Sequence, residues 1–284
     1  MNSAIQNSIL SSLVCDTYVL GSHWVYDEKE LQKLPIDWNS LNTAQSLWHK
    51  GKKAGDFTHY GDQTLFLLEY LKQNKSFNKE SSYNFWKEKM STYDGYIDGS
   101  SRESMQSMGA SSEDLSICGR IAPLLLISSS KEEFLKSVAA FVSVTHNSQL
   151  ALHASAFFAE LLWMSQESSD LASLIKQLQA KYKIFAKWID EAVEKKDADS
   201  FVTIREFGPA CGINGGFAGV IYLLLQKKSF QEIMILNAKA GGDSSARGMI
   251  VAMILGVSKN IELPKKWLKG INKLQKINAL LELF

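Results

Sequence analysis

The chain has 284 residues, 45% of them hydrophobic, which is enough for one large core. Its 31 basic and 30 acidic side chains nearly cancel, and no basic stretch is interleaved with aromatics, so a nucleic-acid partner is not expected. No Pro/Gly/Ser linker or like-charge block divides the chain, and a single domain over 1–284 is the expected organisation.

No segment reaches the roughly 18 to 20 apolar residues of a membrane span. The run Ile9–Cys15 lacks a basic start and a small residue before the cysteine, and Asp16 interrupts it, so it is not read as an export signal. Cys15, Cys118 and Cys211 are far apart, without CxxC or Cys/His ligand spacing, as expected of a reduced, cytoplasmic chain.

In chain order, Ile5, Ile9, Leu13 and Tyr18 share one face of a first helix. A second follows Asp62 through Leu65–Leu71, and a more polar one carries Trp86 and Met90. Leu115–Ile127 contains Gly119 and Pro123, which predict a break or kink. Ser130 and Glu133 have capping-box spacing and start a helix through Phe134, Val138, Phe141 and Val142. Thr145–Ser148 ends it, and a long apolar helix continues through Leu152, Phe157 and Leu162. Helical periodicity recurs at 170–194, 199–207, 216–227, 229–239, 243–257 and 264–282, with no alternating strand pattern. The expectation is an all-α, compact multi-helix domain.

Two segments nearly two hundred residues apart place an aspartate where a small-residue loop becomes an apolar helix: Thr58–Thr64, with Asp62, and Ala240–Ala246, with Asp243. A carboxylate there can cap the open first turn, or hold a cation or water if a second one faces it. Other chemistries lack their motifs. There is no Gly-x-Ser-x-Gly elbow, and the Gly212, Gly215, Gly216, Gly219 series lacks the Gly-Lys-Ser/Thr ending of a P-loop. His23, His49, His59, His146 and His153 include no close pair at zinc-ligand spacing, so a zinc site is not expected.

Five stretches in register resemble the ADP-ribosylglycohydrolase family: Cys15-Asp16 with Leu20-Gly21, Gly61–Thr64, Ser116–Pro123, Thr145-His146, and Gly241–Asp243 before an apolar helix. The resemblance implies an all-helical hydrolase that removes ADP-ribose from modified side chains, with two acidic segments jointly holding two Mg2+ ions. By match, Asp62 and Asp243 occupy the first acidic positions and become the candidate catalytic residues, and Thr64 matches the closing threonine. Gln63, Gly61, Ser245 and Ala246 replace a carboxylate, a threonine, an aspartate and a threonine. Loss of two carboxylates removes two negative charges, so Asp62, Gln63, Asp243 and Ser245 are expected to hold one Mg2+ or none, rather than two.

The same match assigns Asp16, Gly119, Arg120 and His146 to substrate binding, Gly119-Arg120 beside a diphosphate and His146 near a nucleotide. Arg120 can equally pair with Glu113 or Asp114. A catalytic Glu expected after the first helix has only Asp27 or Glu28 as stand-ins, next to the aromatic pair Trp24 and Tyr26. The implied reaction is hydrolysis at the anomeric carbon of an ADP-ribosyl group, with Asp62 or Asp243 orienting water. The alternatives are an ADP-ribose-binding pseudoenzyme and a scaffold kept for packing alone, as in crystallins of this family.

Overall fold

The computed structural model describes residues 3–258 and 261–282. Their helices, in chain order, are α1 (Ser3–Val19), α2 (Glu28–Lys33), α3 (His59–Asn74), α4 (Lys79–Ser91), α5 (Gly99–Gln106), α6 (Lys131–Thr145), α7 (Gln149–Met164) and α8 (Leu171–Lys181). They continue with α9 (Ala186–Glu194), α10 (Ser200–Phe207), α11 (Ile213–Leu224), α12 (Phe230–Lys239), α13 (Ser244–Val257), α14 (Lys265–Lys269) and α15 (Leu274–Leu281). The all-α expectation holds: among the described residues there is no strand, only isolated bridges at Ala110–His146 and Asp114–Gly212.

The axis of the domain is α13 packed along α1. Every residue of α13 except Leu255 is buried, including the polar Ser244, Ser245 and Arg247. Close approach is possible because Gly248 faces α1: a Cβ there would lie 2.4 Å from Cys15 Sγ. A helix that is apolar nearly all round belongs at the centre of a large core, and α13 occupies that place.

Side-chain caps set the helix starts. Thr58 caps α3 by accepting from Tyr60 N–H, which leaves Asp62 inside the first turn rather than at the cap. Asp243 itself caps α13 through Ala246 N–H. Ser130 caps α6, but Glu133 turns back to Ser129; the reciprocal capping box forms at Ser229 and Glu232.

Three expected helices are divided. Leu115–Arg120 and Ala122–Ile127 are separate 3₁₀ turns, the second entered through Pro123, which has no N–H to continue the first. Residues 170–194 break at Tyr182, whose hydroxyl donates to Glu160 at 2.6 Å, a tertiary contact that overrides the local period. Residues 264–282 break at Gly270, where Asn272 N–H donates to Gly55 O at 3.0 Å. That break places Lys273 over the start of α3.

Candidate functional site

Asp16, fully buried on α1, ties the starts of α3 and α13 together. It accepts Thr58 N–H at 2.8 Å, Thr58 Oγ1 at 2.6 Å and Ser245 Oγ at 2.5 Å. Burial pushes its carboxyl from 3.8 up to about 6, against the pull of these hydrogen bonds. Gly61 is required here because a Cβ would meet Asp16 Oδ2 at 2.2 Å. Asp16 is thus an internal strut, with its oxygens turned to the protein rather than to a substrate.

Asp62 is also buried, and both its oxygens are taken. Lys52 Nζ lies 2.6 Å from Oδ2, Lys273 Nζ lies 2.7 Å from Oδ1, and Tyr93 donates its hydroxyl to Oδ2 at 2.9 Å. The two ammonium groups supply the positive charge that a cation would otherwise bring. Gln63 is equally committed: its oxygen accepts Arg120 Nη1 at 2.8 Å and Trp86 Nε1 at 3.0 Å.

Asp243 caps α13 at 2.9 Å from Ala246 N and accepts Tyr60 Oη at 3.0 Å. Tyr60 lies two residues before Asp62, so the fold does bring the two motif segments together. Burial raises the Asp243 carboxyl, and Asp114, pushed up to about 7 by burial and then by Asp243, is grouped with it and Cys211. The preceding loop is held by Arg247, fully buried, which donates to Pro209 O at 3.1 Å and Gly241 O at 2.7 Å. Gly242 has φ of 61°, and a Cβ on it would meet Pro209 O at 2.2 Å. Its carbonyl accepts Trp24 N–H at 2.7 Å, and Trp24 itself sits at φ 60°, a left-handed conformation costly for an aromatic residue.

The residues matched to substrate binding are all buried. Gly119 is a packing glycine whose added Cβ would lie 2.8 Å from Met249 Cβ on α13. Arg120 is buried with Nη1 on Gln63 rather than on Glu113 or Asp114; its Nε has no partner among the described residues, and it lines a cavity with Gln63 and Thr145. His146 is buried, with Nδ1 at 2.9 Å from Thr145 Oγ1, and burial lowers it to about 3. Asp27 caps α2 from an exposed position and Glu28 pairs with Gln32 on the surface, so neither is a buried acid of this site.

Spacing along the chain gave no sign of what three histidines do. His23, His49 and His59 come from three separate loops or helix starts, yet one ring nitrogen of each lies within 4.8 Å of the others. All three are buried. His49 Nε2 is 3.2 Å from His59 Nδ1, and Trp24 lies against all three rings, with centroids 4.8 to 5.1 Å away. The available signal was position: His59 directly precedes the Tyr60–Asp62 segment, and His23 lies two residues after the Leu20-Gly21 stretch. Beside them, Trp24, Tyr26, Leu47, Trp48 and Lys33 line an open cleft of about 610 Å³.

The four expected Mg2+ ligands do not fit that ion. Magnesium needs free oxygens converging in octahedral geometry. Asp62 presents its oxygens to two lysines, Gln63 to Arg120 and Trp86, Ser245 to Asp16, and Asp243 to its own helix and Tyr60.

Crystallin J1A of Tripedalia cystophora is 22% identical, covering 94% of this chain and 91% of the relative. Crystallin J1B of the same animal is 23% identical, covering 92% and 89%. A solved structure described as an ADP-ribosylglycohydrolase-related protein complex superposes with a TM-score of 0.73 at 18% identity, covering 99% of this chain and 96% of that one. A sequence model of one family, ADP-ribosylglycohydrolase, matches residues 2–284. The chain belongs to the ADP-ribosylglycohydrolase family.

Proposed function

We propose that this protein is a binding member of its family that takes an ADP-ribose-like ligand without magnesium-dependent turnover. The observation that carries this reading is Asp62 with Lys52 and Lys273 on its two oxygens at 2.6 and 2.7 Å. Hydrolysis at an anomeric carbon needs a carboxylate oxygen free to orient water, or a cation to do so. Asp62 offers neither, and Asp243 is held by its cap and by Tyr60.

Binding is supported by the open cleft beside the histidines. Trp48 is 59% exposed and Tyr26 39% exposed, an arrangement suited to a flat base, and Asp27, Glu30 and Lys33 line the same cleft. That two relatives carry the name crystallin fits a scaffold kept for something other than turnover.

The test is incubation of the protein with ADP-ribosylated arginine and serine peptides in Mg2+, alongside calorimetry with ADP-ribose. Heat of binding that Trp48→Ala reduces, with no release of ADP-ribose, is the expected result. Release that requires Mg2+ and disappears in Asp62→Asn would overturn the reading.

A further inference from the structure

His23, His49 and His59 form a cluster that the site around Asp62 does not use. Three buried imidazoles within 4.8 Å are costly unless each ring nitrogen finds a partner. Yet His23 Nε2 is buried without a hydrogen-bond partner among the described residues, and His49 Nε2 and His59 Nδ1 face each other. We infer that these three histidines form a binding site for a divalent first-row transition metal ion, with zinc as the representative.

The donor set is of the right kind. Neutral imidazoles suit Zn2+, Co2+, Ni2+ and Cu2+, whereas Mg2+ prefers oxygen ligands. One pair already has the right spacing: tetrahedral bonds of about 2.0 to 2.1 Å place neighbouring ligand nitrogens about 3.4 Å apart, and His49 Nε2 and His59 Nδ1 stand at 3.2 Å, the three nitrogens as a set lying within 4.8 Å. In the free protein those two nitrogens share one proton; metal binding would move that proton to the far nitrogen of His49, Nδ1, leaving the ring neutral.

Carboxylates stand behind two of the rings, as they do behind many metal-bound histidines. His23 Nδ1 is 3.5 Å from Asp243 Oδ1, and His59 Nε2 is 3.6 Å from Asp98 Oδ2. His23 Nδ1 also lies 3.4 Å from the Ser245 backbone N–H, so turning its own N–H to Asp243 exchanges that contact for the carboxylate; with His23 and His59 so turned, His23 Nε2 and His59 Nδ1 are left bare as ligands. Charges facing the cluster are mixed. Asp62, Asp98 and Asp243 favour a cation, whereas Lys52, Arg120 and Arg247 oppose one. The strained Trp24 backbone packs the indole over all three rings, which excludes water from one side of the site.

The experiment uses the untagged full chain, stripped with a chelator and titrated with Co2+, whose visible absorption reports coordination geometry. Expected are one Co2+ per chain, intense visible bands of a nitrogen-ligated four-coordinate ion, displacement by Zn2+, and no competition from Mg2+. His49→Gln and His59→Gln, folded by circular dichroism, should each weaken binding by about tenfold or more. Should a variant not fold, cobalt-induced shifts of the imidazole proton resonances in the wild-type chain identify the ligands. No Co2+ or Zn2+ binding at micromolar concentration in the folded wild-type chain would overturn the inference. So would binding whose shifted resonances belong to His146 or His153.

Discussion

Lys52 Nζ lies 2.6 Å from Asp62 Oδ2, and this contact defines the site more than any motif does. A carboxylate buried at the start of α3 needs a positive partner, and the chain supplies it from a loop ten residues earlier and from Lys273 at the far end. Lys52 is only 20% exposed, whereas Lys273 is 45% exposed and its contribution is screened. Lys52→Met should therefore destabilise by about 1 to 3 kcal/mol, and Lys273→Met by less than about 1 kcal/mol. In a double-mutant cycle by urea denaturation, Asp62→Asn should couple to Lys52→Met by about 1 to 2 kcal/mol. Additive effects would mean that the contact carries no net energy.

Asp16 gives a pH dependence of defined sign. Its folded value of about 6 is raised from 3.8, so its contribution to stability is complete below about pH 4 and is lost as pH rises through 6. An Asn at this position can accept Thr58 N–H and donate to the two hydroxyls, keeping the strut without a charge. The stability of wild type minus that of Asp16→Asn should fall by about 2 to 2.5 kcal/mol between pH 4 and 7. Guanidinium denaturation at a series of pH values measures it, and a flat difference would refute the buried charge.

Gly242→Ala should cost about 2 to 4 kcal/mol, because it combines a positive φ with a Cβ 2.2 Å from Pro209 O. Thermal unfolding should show a drop of several degrees, with Trp24 fluorescence altered because Gly242 O holds the Trp24 amide.

Arg120→Met separates a structural from a ligand-binding arginine. With Nη1 on Gln63 and the side chain buried, its removal should cost about 1 to 3 kcal/mol of stability and leave the Kd for ADP-ribose within about threefold. A tenfold weaker Kd with unchanged stability would return Arg120 to the ligand.

The helical class and most helix starts were legible in the sequence, because periodicity and caps such as Ser130, Ser229 and Asp243 are local signals. The breaks at Tyr182 and Gly270 were not, since Glu160 and Gly55 cause them from distant parts of the chain. The two motif segments do meet, through Tyr60 and Asp243. What occupies their oxygens was hidden, because a lysine's partner is decided by folding: nothing adjacent to Lys52 or Lys273 marks it as facing Asp62. The histidine cluster was hidden for the same reason, its members being 26 and 10 residues apart.

The most direct measurement is a calorimetric titration of Mg2+ into the wild-type chain and into the doubly substituted Lys52→Met, Lys273→Met chain. If the lysines have taken the place of the cation, the wild type gives no binding heat up to millimolar Mg2+, and freeing Asp62 allows weak binding that Asp62→Asn abolishes. Micromolar Mg2+ binding by the wild type, lost in Asp62→Asn, would contradict the account.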